Sequence, residues 1–278
     1  MPKILVNRYQ FAYSWVGSPD LPIILFLHGF LGDRREFDRA ISGLSQQFCC
    51  LTVDLPGHGE TEVMGADECY TMPHTAQGLI QFLDSLNIAQ CFLVGYSMGG
   101  RLALYLALHF PERFLKIVLE SASPGLKTAE EQWQRQQSDR ILAEELATGD
   151  LVNFLNKWYQ NPLFATLRTH PEFDNLLARR SQQQMNAHLL AKSLRYLSTG
   201  CQPSLWQQLP ENQIPLLLLV GESDRKFQAI NIEMEKLCPA AQLRIVNKSG
   251  HNIHIEQAIA FAENVQSFFN FRSRSNQK

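Results

Sequence analysis

Short apolar segments alternate with helical patterns along most of the chain, and this alternation restricts the folds that it can adopt. Six segments are apolar almost throughout: IILFLHG (23–29), FCCLTVD (48–54), CFLVGYS (91–97), FLKIVLE (114–120), IPLLLLVG (214–221) and QLRIVN (242–247). Strands that are covered on both faces of a parallel sheet have this pattern. Helical periodicity falls between them, at about 73–86, 98–109, 230–237 and 256–269. The alternation predicts an α/β protein with a mostly parallel, doubly wound sheet.

One long segment, 124–205, interrupts the alternation. It contains no β-type run and is rich in Gln, Glu, Arg and Ala, with scattered Trp and Leu. A connection of this length inside a compact domain is too long for a plain loop. We therefore predict a helical lid over the carboxyl ends of the strands, inserted into a core that is formed by residues 1–123 and 206–278.

The composition excludes several classes of function. The chain is 45% hydrophobic and 19% charged with a formal net charge of -2, which argues against nucleic acid as a partner. It has neither a signal-peptide pattern nor a stretch of about 20 apolar residues, so we expect a cytoplasmic protein without a membrane span. The cysteines show no CxxC spacing and no paired His neighbours, so neither a metal site nor a disulfide framework is predicted. The oligomeric state stays open.

The sequence GYSMG (95–99) joins one of the predicted strands to a predicted helix. It fits the G-x-S-x-G pattern, in which a sharp strand-to-helix turn exposes a serine hydroxyl above the sheet. Glycines flank the serine because backbone approaches backbone closely at such a turn. Ser97 is therefore the candidate nucleophile or base.

The partners of such a serine follow in the order Ser, acid, His. Asp224 stands just after the apolar segment 214–221, and His251 stands just after the segment 242–247, so these two complete a predicted triad. Glu120 and His254 are the alternative acid and base, although both fit the rule less well. The backbone N–H groups of Phe30, in the loop LHGF (27–30), and Met98 are the predicted oxyanion-hole donors.

Arg101 lies one helical turn after Ser97 and therefore shares a face of the helix with it. An arginine in this position is either a surface residue that pairs with an acid or a group that reaches the mouth of the site. The predicted lid adds further arginines and aromatic residues: Arg135, Arg140, Trp158, Tyr159, Arg179 and Arg180. Arginines that converge with Arg101 would form a pocket for carboxylates, because a guanidinium binds them through two parallel hydrogen bonds.

Several segments together resemble one family. The elbow GYSMGGRLALYLA, the stretch LESASPGLKTAEEQWQRQQSDR, the lid pieces KWYQNPLFATL and LLARRS, and then GESDRKF and SGHNIHIE are similar to 2-succinyl-6-hydroxy-2,4-cyclohexadiene-1-carboxylate synthases. These are α/β-hydrolase-fold enzymes of menaquinone and phylloquinone biosynthesis. The resemblance extends over nearly the whole chain, and the sequence does not separate the two quinone pathways.

The resemblance implies a lyase that eliminates pyruvate from a substrate with three carboxylates and needs no cofactor. Ser97, activated by His251 and Asp224, would act as general base on a carbon acid next to a ketone. Substrate contacts carried over by motif are Tyr96, Arg101, Arg135, Trp158 and Arg180. Because Arg179 adjoins Arg180, either could face the pocket, and Arg140 and Lys226 are possible further contacts. A carboxylesterase or carbon–carbon bond hydrolase, and a ligand-binding protein without activity, are the alternatives.

Overall fold

The protein folds around a sheet of mostly parallel strands, and the computed structural model describes residues 2–182 and 186–270. Within these residues the strands are β1 (Lys3–Val6), β2 (Tyr9–Val16), β3 (Ile23–Leu27), β4 (Cys49–Val53), β5 (Glu62–Val63), β6 (Cys91–Tyr96), β7 (Phe114–Glu120), β8 (Leu216–Gly221) and β9 (Ala241–Val246). The order across the sheet is β1-β2-β4-β3-β6-β7-β8-β9, with β5 paired to β2. From β4 to β9 all neighbours are parallel. The predicted fold class is confirmed.

Helices cover both faces of this sheet and fill the segment between β7 and β8. They are α1 (Asp38–Leu44), α2 (Met72–Ser85), α3 (Met98–His109), α4 (Ala129–Thr148), α5 (Leu151–Tyr159), α6 (Ala165–Arg168), α7 (Phe173–Gln182), α8 (Ala187–Tyr196), α9 (Arg225–Leu237), α10 (Ile253–Glu256) and α11 (Ala258–Asn270). None of the helices in the described part of the chain has the length and apolar character needed to cross a membrane.

Side chains of the central strands alternate between two apolar cores. Leu25 and Leu27 belong to the core under α2, α3 and α9, whereas Ile24 and Phe26 belong to the core under α1 and α11. This alternation is the two-residue period of a strand. Because both faces of β3, β4, β6, β7 and β8 are largely buried, these strands are apolar almost throughout and were predictable from the sequence. The sixth predicted strand, β9, lies at the edge of the sheet and is mostly not buried.

The helices between β7 and β8 have a third apolar core of their own, which includes Phe154 and Tyr159. Their starting points follow from capping side chains. Thr128 and Glu131 form a reciprocal capping box at the start of α4, and Asp150 accepts hydrogen bonds from two backbone N–H groups at the start of α5. Leu31 and Ile255, which lie outside the segment between β7 and β8, join this third cluster and connect its helices to the rest of the protein.

Candidate active site

Ser97 lies at a strained turn between β6 and α3. Its backbone angles are φ 49° and ψ -105°, in a region that side-chain-bearing residues rarely occupy. Gly95 makes the turn possible, since a Cβ there would lie 2.5 Å from the carbonyl oxygen of Gly99. The backbone N–H of Ser97 donates to the carbonyl oxygen of Glu120 at 2.9 Å. The turn therefore holds the hydroxyl at the carboxyl edge of the sheet, where the strand-to-helix motif predicts it.

Three side chains from separate loops form a continuous hydrogen-bonded chain. Ser97 Oγ lies 3.1 Å from His251 Nε2, and His251 Nδ1 lies 2.7 Å from Asp224 Oδ2. Asp224 and His251 are both buried and follow β8 and β9, and Asp224 also caps the start of α9. Because the carboxylate accepts the Nδ1 proton, the lone pair of Nε2 is left to accept the serine hydroxyl. The structure thus brings together the three residues predicted from chain order.

The alternative acid and base contact each other and lie behind this chain. Glu120 accepts hydrogen bonds from His254 Nδ1, at 2.9 and 2.8 Å, and from the backbone N–H of His254 at 3.0 Å. His254 Nε2 lies 3.3 Å from Glu36 Oε1. Burial alone would lower the pKa of His254, but Glu120 and Glu36 together raise it to about 9. The side chains of Glu120 and His254 form no hydrogen bond with the Ser97 hydroxyl, so they take no direct part in the chain of Ser97, His251 and Asp224.

A cavity of about 750 Å³ opens above Ser97. It is lined by all of the predicted site residues: Phe30, Tyr96, Ser97, Met98, Arg101, Arg135, Trp158, Arg180, Asp224 and His251. Lys226 also lines it, whereas Arg140 is exposed on α4 and does not. In the described part of the chain no cluster of His, Cys, Asp or Glu is arranged to hold a metal ion.

Two of the cavity arginines pair with buried carboxylates. Arg135 Nε donates to both oxygens of Asp139 at 2.8 Å. Arg180 Nη2 donates to Glu36 Oε1 at 2.6 Å, and the guanidinium is stacked over the ring of Tyr159, 5.5 Å from its centroid. Burial by itself would raise the pKa of Glu36, but Arg180 and then His254 hold it well below its usual range. The charged guanidinium groups of Arg135 and Arg180 are therefore each held in one orientation.

Arg101 differs from these two arginines because its partners are neutral. The guanidinium, 9% exposed, donates from Nη1 to Gln202 Oε1 at 3.0 Å and from Nη2 to the carbonyl oxygen of Leu197 at 2.9 Å. Burial, and then the charge of Arg135, lower the pKa of Arg101 to about 10. Arg101 is thus neither at the surface nor paired with an acid, and it remains a cation at neutral pH.

The structure distinguishes Arg180 from its neighbour Arg179. Arg180 is 3% exposed and lines the cavity, whereas Arg179 is partly exposed and is absent from the cavity lining. Arg179 contacts Glu36 from the other side, with Nη2 3.6 Å from Oε2. The two residues therefore hold the same carboxylate, but only Arg180 borders the cavity.

Aromatic rings form much of the remaining wall. The ring of Tyr96 lies between two histidines, with centroid distances of 5.4 Å to His251 and 4.6 Å to His254. Burial, followed by the charges of Glu120 and Glu36, raises the pKa of Tyr96 well above its usual value, so the phenol stays neutral. Trp158 meets Phe30 edge to face at 5.1 Å.

The predicted oxyanion donors border the same space. Met98 is the first residue of α3, where backbone N–H groups have no acceptor within the helix. Phe30 follows His28, whose Nδ1 bonds to the carbonyl oxygen of Gly29 at 2.7 Å and whose Nε2 accepts from the backbone N–H of Leu55 at 3.0 Å. In the described part of the chain neither the N–H of Phe30 nor that of Met98 has an acceptor. Both are free to donate to an oxygen atom in the cavity.

Sequence reasoning missed several residues of the site. Phe227 and Phe164 pack against the His251 ring at 4.7 and 6.0 Å, and Glu36 and Gln202 hold the cavity arginines. Phe227 lies in the first turn of α9, and the capping aspartate at 224 would have located that helix start. Glu36 and Gln202 carry no local signal, because they meet their arginines only through the tertiary fold.

Comparisons with known proteins agree with this geometry. A sequence model of the alpha/beta hydrolase fold matches residues 22–258. The putative 2-succinyl-6-hydroxy-2,4-cyclohexadiene-1-carboxylate synthase of Bacillus subtilis (strain 168) is 37% identical over 93% of this chain and 94% of its own length. The synthase of that name from Enterobacter sp. (strain 638) is 36% identical over 88% of this chain and 91% of its own. The solved structure of MenH from S. aureus has a TM-score of 0.85 and 33% identity, and covers 95% of this chain and 98% of that one.

Proposed function

The chain belongs to the α/β-hydrolase-fold family of 2-succinyl-6-hydroxy-2,4-cyclohexadiene-1-carboxylate synthases, and from that membership we propose a role for each residue of its cavity. The enzyme is a lyase of menaquinone or phylloquinone biosynthesis. It eliminates pyruvate from 2-succinyl-5-enolpyruvyl-6-hydroxy-3-cyclohexene-1-carboxylate, hereafter the enolpyruvyl substrate, and leaves the cyclohexadiene carboxylate.

In the proposed mechanism Ser97 is the general base. Its oxygen removes a proton from the carbon acid next to the succinyl ketone while its own proton passes to His251 Nε2. The imidazolium that results is stabilised by Asp224. The electron pair of the broken C–H bond moves into the ring system, and the ring C–O bond to the enolpyruvyl group breaks. The leaving group departs as the enolate of pyruvate, which takes up a proton at its methylene carbon to become pyruvate, and loss of the proton from His251 Nε2 restores the base. No acyl-enzyme forms, and a positioned base of this kind contributes about 10²–10⁴ in rate.

One observation carries this proposal. The hydrogen-bonded chain of Ser97, His251 and Asp224 opens into a cavity that is bordered by three buried or half-buried arginines. A hydrolase of neutral esters has no need of such cations in its pocket. A substrate with three carboxylates does, because guanidinium groups offset their charge and fix their direction.

Negative charge that develops on the succinyl ketone oxygen needs donors in place before the reaction. We assign this role to the backbone N–H groups of Phe30 and Met98, which border the cavity without an acceptor in the described residues. Such donors contribute most when they are oriented in advance, at about 10²–10³ in rate for each donor.

The carboxylates of the substrate are assigned to Arg101, Arg135 and Arg180, with Tyr96 and Trp158 against its ring. Three of these five residues come from segment 124–205, which we propose to be a lid on a core formed by residues 1–123 and 206–278. Residues 271–278 of that core segment lie outside the described residues.

We also propose a cytoplasmic location, where thiols stay reduced; the six cysteines are all free.

The experiment is a coupled assay of pyruvate release from the enolpyruvyl substrate, run on the wild type and on Arg101→Ala. We expect release by the wild type and a kcat/KM at least about tenfold lower in the variant, since a buried carboxylate loses its charged partner. Circular dichroism checks that both proteins are folded. Turnover of a neutral aryl ester by folded wild type, with no pyruvate from the enolpyruvyl substrate, would instead assign an esterase.

A further inference from the structure

Arg101 is held from behind by a single side chain, that of Gln202. The amide oxygen of Gln202 accepts the Nη1 hydrogen of Arg101 at 3.0 Å, and Gln202 itself is 1% exposed and does not line the cavity. The second partner of the guanidinium is a backbone carbonyl, that of Leu197. Among the described residues Gln202 is therefore the one side chain that hydrogen-bonds to Arg101, and a substitution at position 202 changes the charge placed directly against the guanidinium.

The structure fixes the Gln202 side chain in this place. Its amide nitrogen lies 3.4 Å from the carbonyl oxygen of Ser123, and its own backbone carbonyl accepts from Gln132 Nε2 at 3.1 Å. Gly125, with φ +92°, lets the chain pass close to the amide, since a Cβ there would lie 3.2 Å from its carbon. A buried amide with both ends in contact has few alternative positions.

Arg101 differs from the other two buried or half-buried arginines of the cavity in the charge of its partner. Arg135 faces Asp139 and Arg180 faces Glu36, so a carboxylate of the protein already offsets each of them. Arg101, by comparison, forms no ion pair with any described residue. A neutral acceptor orients a guanidinium without offsetting its charge, whereas a carboxylate in the same place would do both.

We propose that Gln202 is a positioning and specificity-determining residue, whose neutral amide orients Arg101 and leaves its full charge for a carboxylate of the substrate. This inference rests on the proposed role of Arg101 in substrate binding. In a purely structural role only the shape of the side chain at position 202 would matter. In the proposed role its charge also determines the affinity for an anionic substrate.

Gln202→Glu is the decisive variant, because it keeps the size of the side chain and adds a carboxylate against Arg101. A carboxyl group this close to a guanidinium is ionised at neutral pH. In the pyruvate-release assay we expect the KM for the enolpyruvyl substrate to rise about tenfold or more, with kcat within about threefold of the wild type. The Tm should stay the same or rise, because the buried Arg101 gains a counter-ion. If Gln202 had a purely structural role, the KM would instead rise only in variants whose Tm falls.

Two control variants separate local from general effects. Gln136→Glu adds the same charge to the same region, but Gln136 bonds to the carbonyl oxygen of Gly200 and not to Arg101. Its KM should stay within about twofold of the wild type, since a charge near the surface is screened. Gln202→Met removes the acceptor without adding charge, so KM should rise about fivefold while the charge of Arg101 is unchanged.

An unchanged KM in folded Gln202→Glu overturns the inference, as does an equal rise in Gln136→Glu. If Gln202→Glu fails to fold, Gln202→Met decides, and an unchanged KM in that variant overturns the inference. Arg101→Ala tells the two proposals apart. If it leaves KM unchanged, the proposed role of Arg101 fails; if it raises KM while Gln202→Glu does not, only the present inference fails.

Discussion

His254 and Glu120 form an ion pair directly behind the candidate active site, with Nδ1 at 2.9 and 2.8 Å from the two carboxylate oxygens. The other ring nitrogen, Nε2, lies 3.3 Å from Glu36 Oε1. A neutral imidazole has one N–H, and only the imidazolium can donate from both nitrogens. The contacts therefore hold His254 in its charged form, although the side chain is fully buried.

The ion pair of His254 and Glu120 predicts that the folded protein becomes less stable at alkaline pH. The pKa of His254 is about 9 in the folded protein and about 6.5 in an unfolded chain, so its contribution is complete below pH 6.5 and is lost as the pH rises through 9. The free energy of unfolding should fall by about 3 kcal/mol between pH 6.5 and 9.5. Urea unfolding across this range measures the slope.

The matched variant is His254→Gln, which keeps hydrogen-bonding groups but cannot titrate. The charged and titratable groups that face His254 are Glu120, Glu36 and Tyr96, with Arg180 behind Glu36. Glu36 stays ionised in this range because its pKa is held well below its usual value, and Tyr96 stays neutral because its pKa is raised. The free energy of unfolding of His254→Gln should therefore change much less with pH than that of the wild type. An equal slope in both proteins would assign the pH dependence to other groups.

Ser97→Ala should abolish most turnover while the protein stays folded. If the hydroxyl is the base, its removal lowers kcat by about 10²–10⁴ and leaves substrate affinity largely intact, because the arginines still bind the carboxylates. Stopped-flow measurement of pyruvate release, together with isothermal titration of the enolpyruvyl substrate, separates the two quantities. A rate near that of the wild type would contradict the role of Ser97.

The central part of the fold could be predicted because buried parallel strands have an unmistakable composition. The strands at the amino-terminal edge, β1 and β2, were not predicted, since they are antiparallel and carry exposed or partly exposed polar residues such as Lys3 and Gln10. Helix α9 was predicted to begin at 230 but begins at Arg225, because the capping role of Asp224 was not recognised.

The residues of the candidate site likewise fall into those that local sequence predicts and those that it does not. The serine and its partners follow from motif, chain order and strand ends, which are properties of local sequence. The choice between Arg179 and Arg180 depends on which face of α7 meets the cavity, and Gln202 lies far from Arg101 along the chain. Such contacts are determined by tertiary packing, and their roles stay predictions until variants are measured.

The glycines of the elbow should tolerate no side chain. In Gly95→Ala the new Cβ would lie 2.5 Å from the carbonyl oxygen of Gly99, a backbone atom that cannot move without shifting Ser97. We expect the free energy of unfolding to fall by about 1–3 kcal/mol or more, and turnover to fall with it. Gly43→Ala is the control: Gly43 is an exposed residue of helix α1, where a Cβ would lie 3.4 Å from the Cβ of Ala262, and the variant should gain about 0.5–1 kcal/mol. Urea unfolding compares them, and equal losses would argue against close packing at the elbow.

Arg180 and Arg179 offer a matched pair for the substrate contacts on α7. Both contact Glu36, but only Arg180 is buried and lines the cavity, so only its guanidinium is available to a bound carboxylate. Arg180→Ala should raise the KM for the enolpyruvyl substrate by about tenfold or more, as expected for a charged hydrogen bond lost from a buried site. Arg179→Ala removes the same charge from the same helix and leaves Arg180 on Glu36, so its KM should stay within about twofold of the wild type. Pyruvate-release kinetics on the two variants at one ionic strength make the comparison, and a larger effect at Arg179 would mean that α7 is rotated relative to the cavity when the substrate binds.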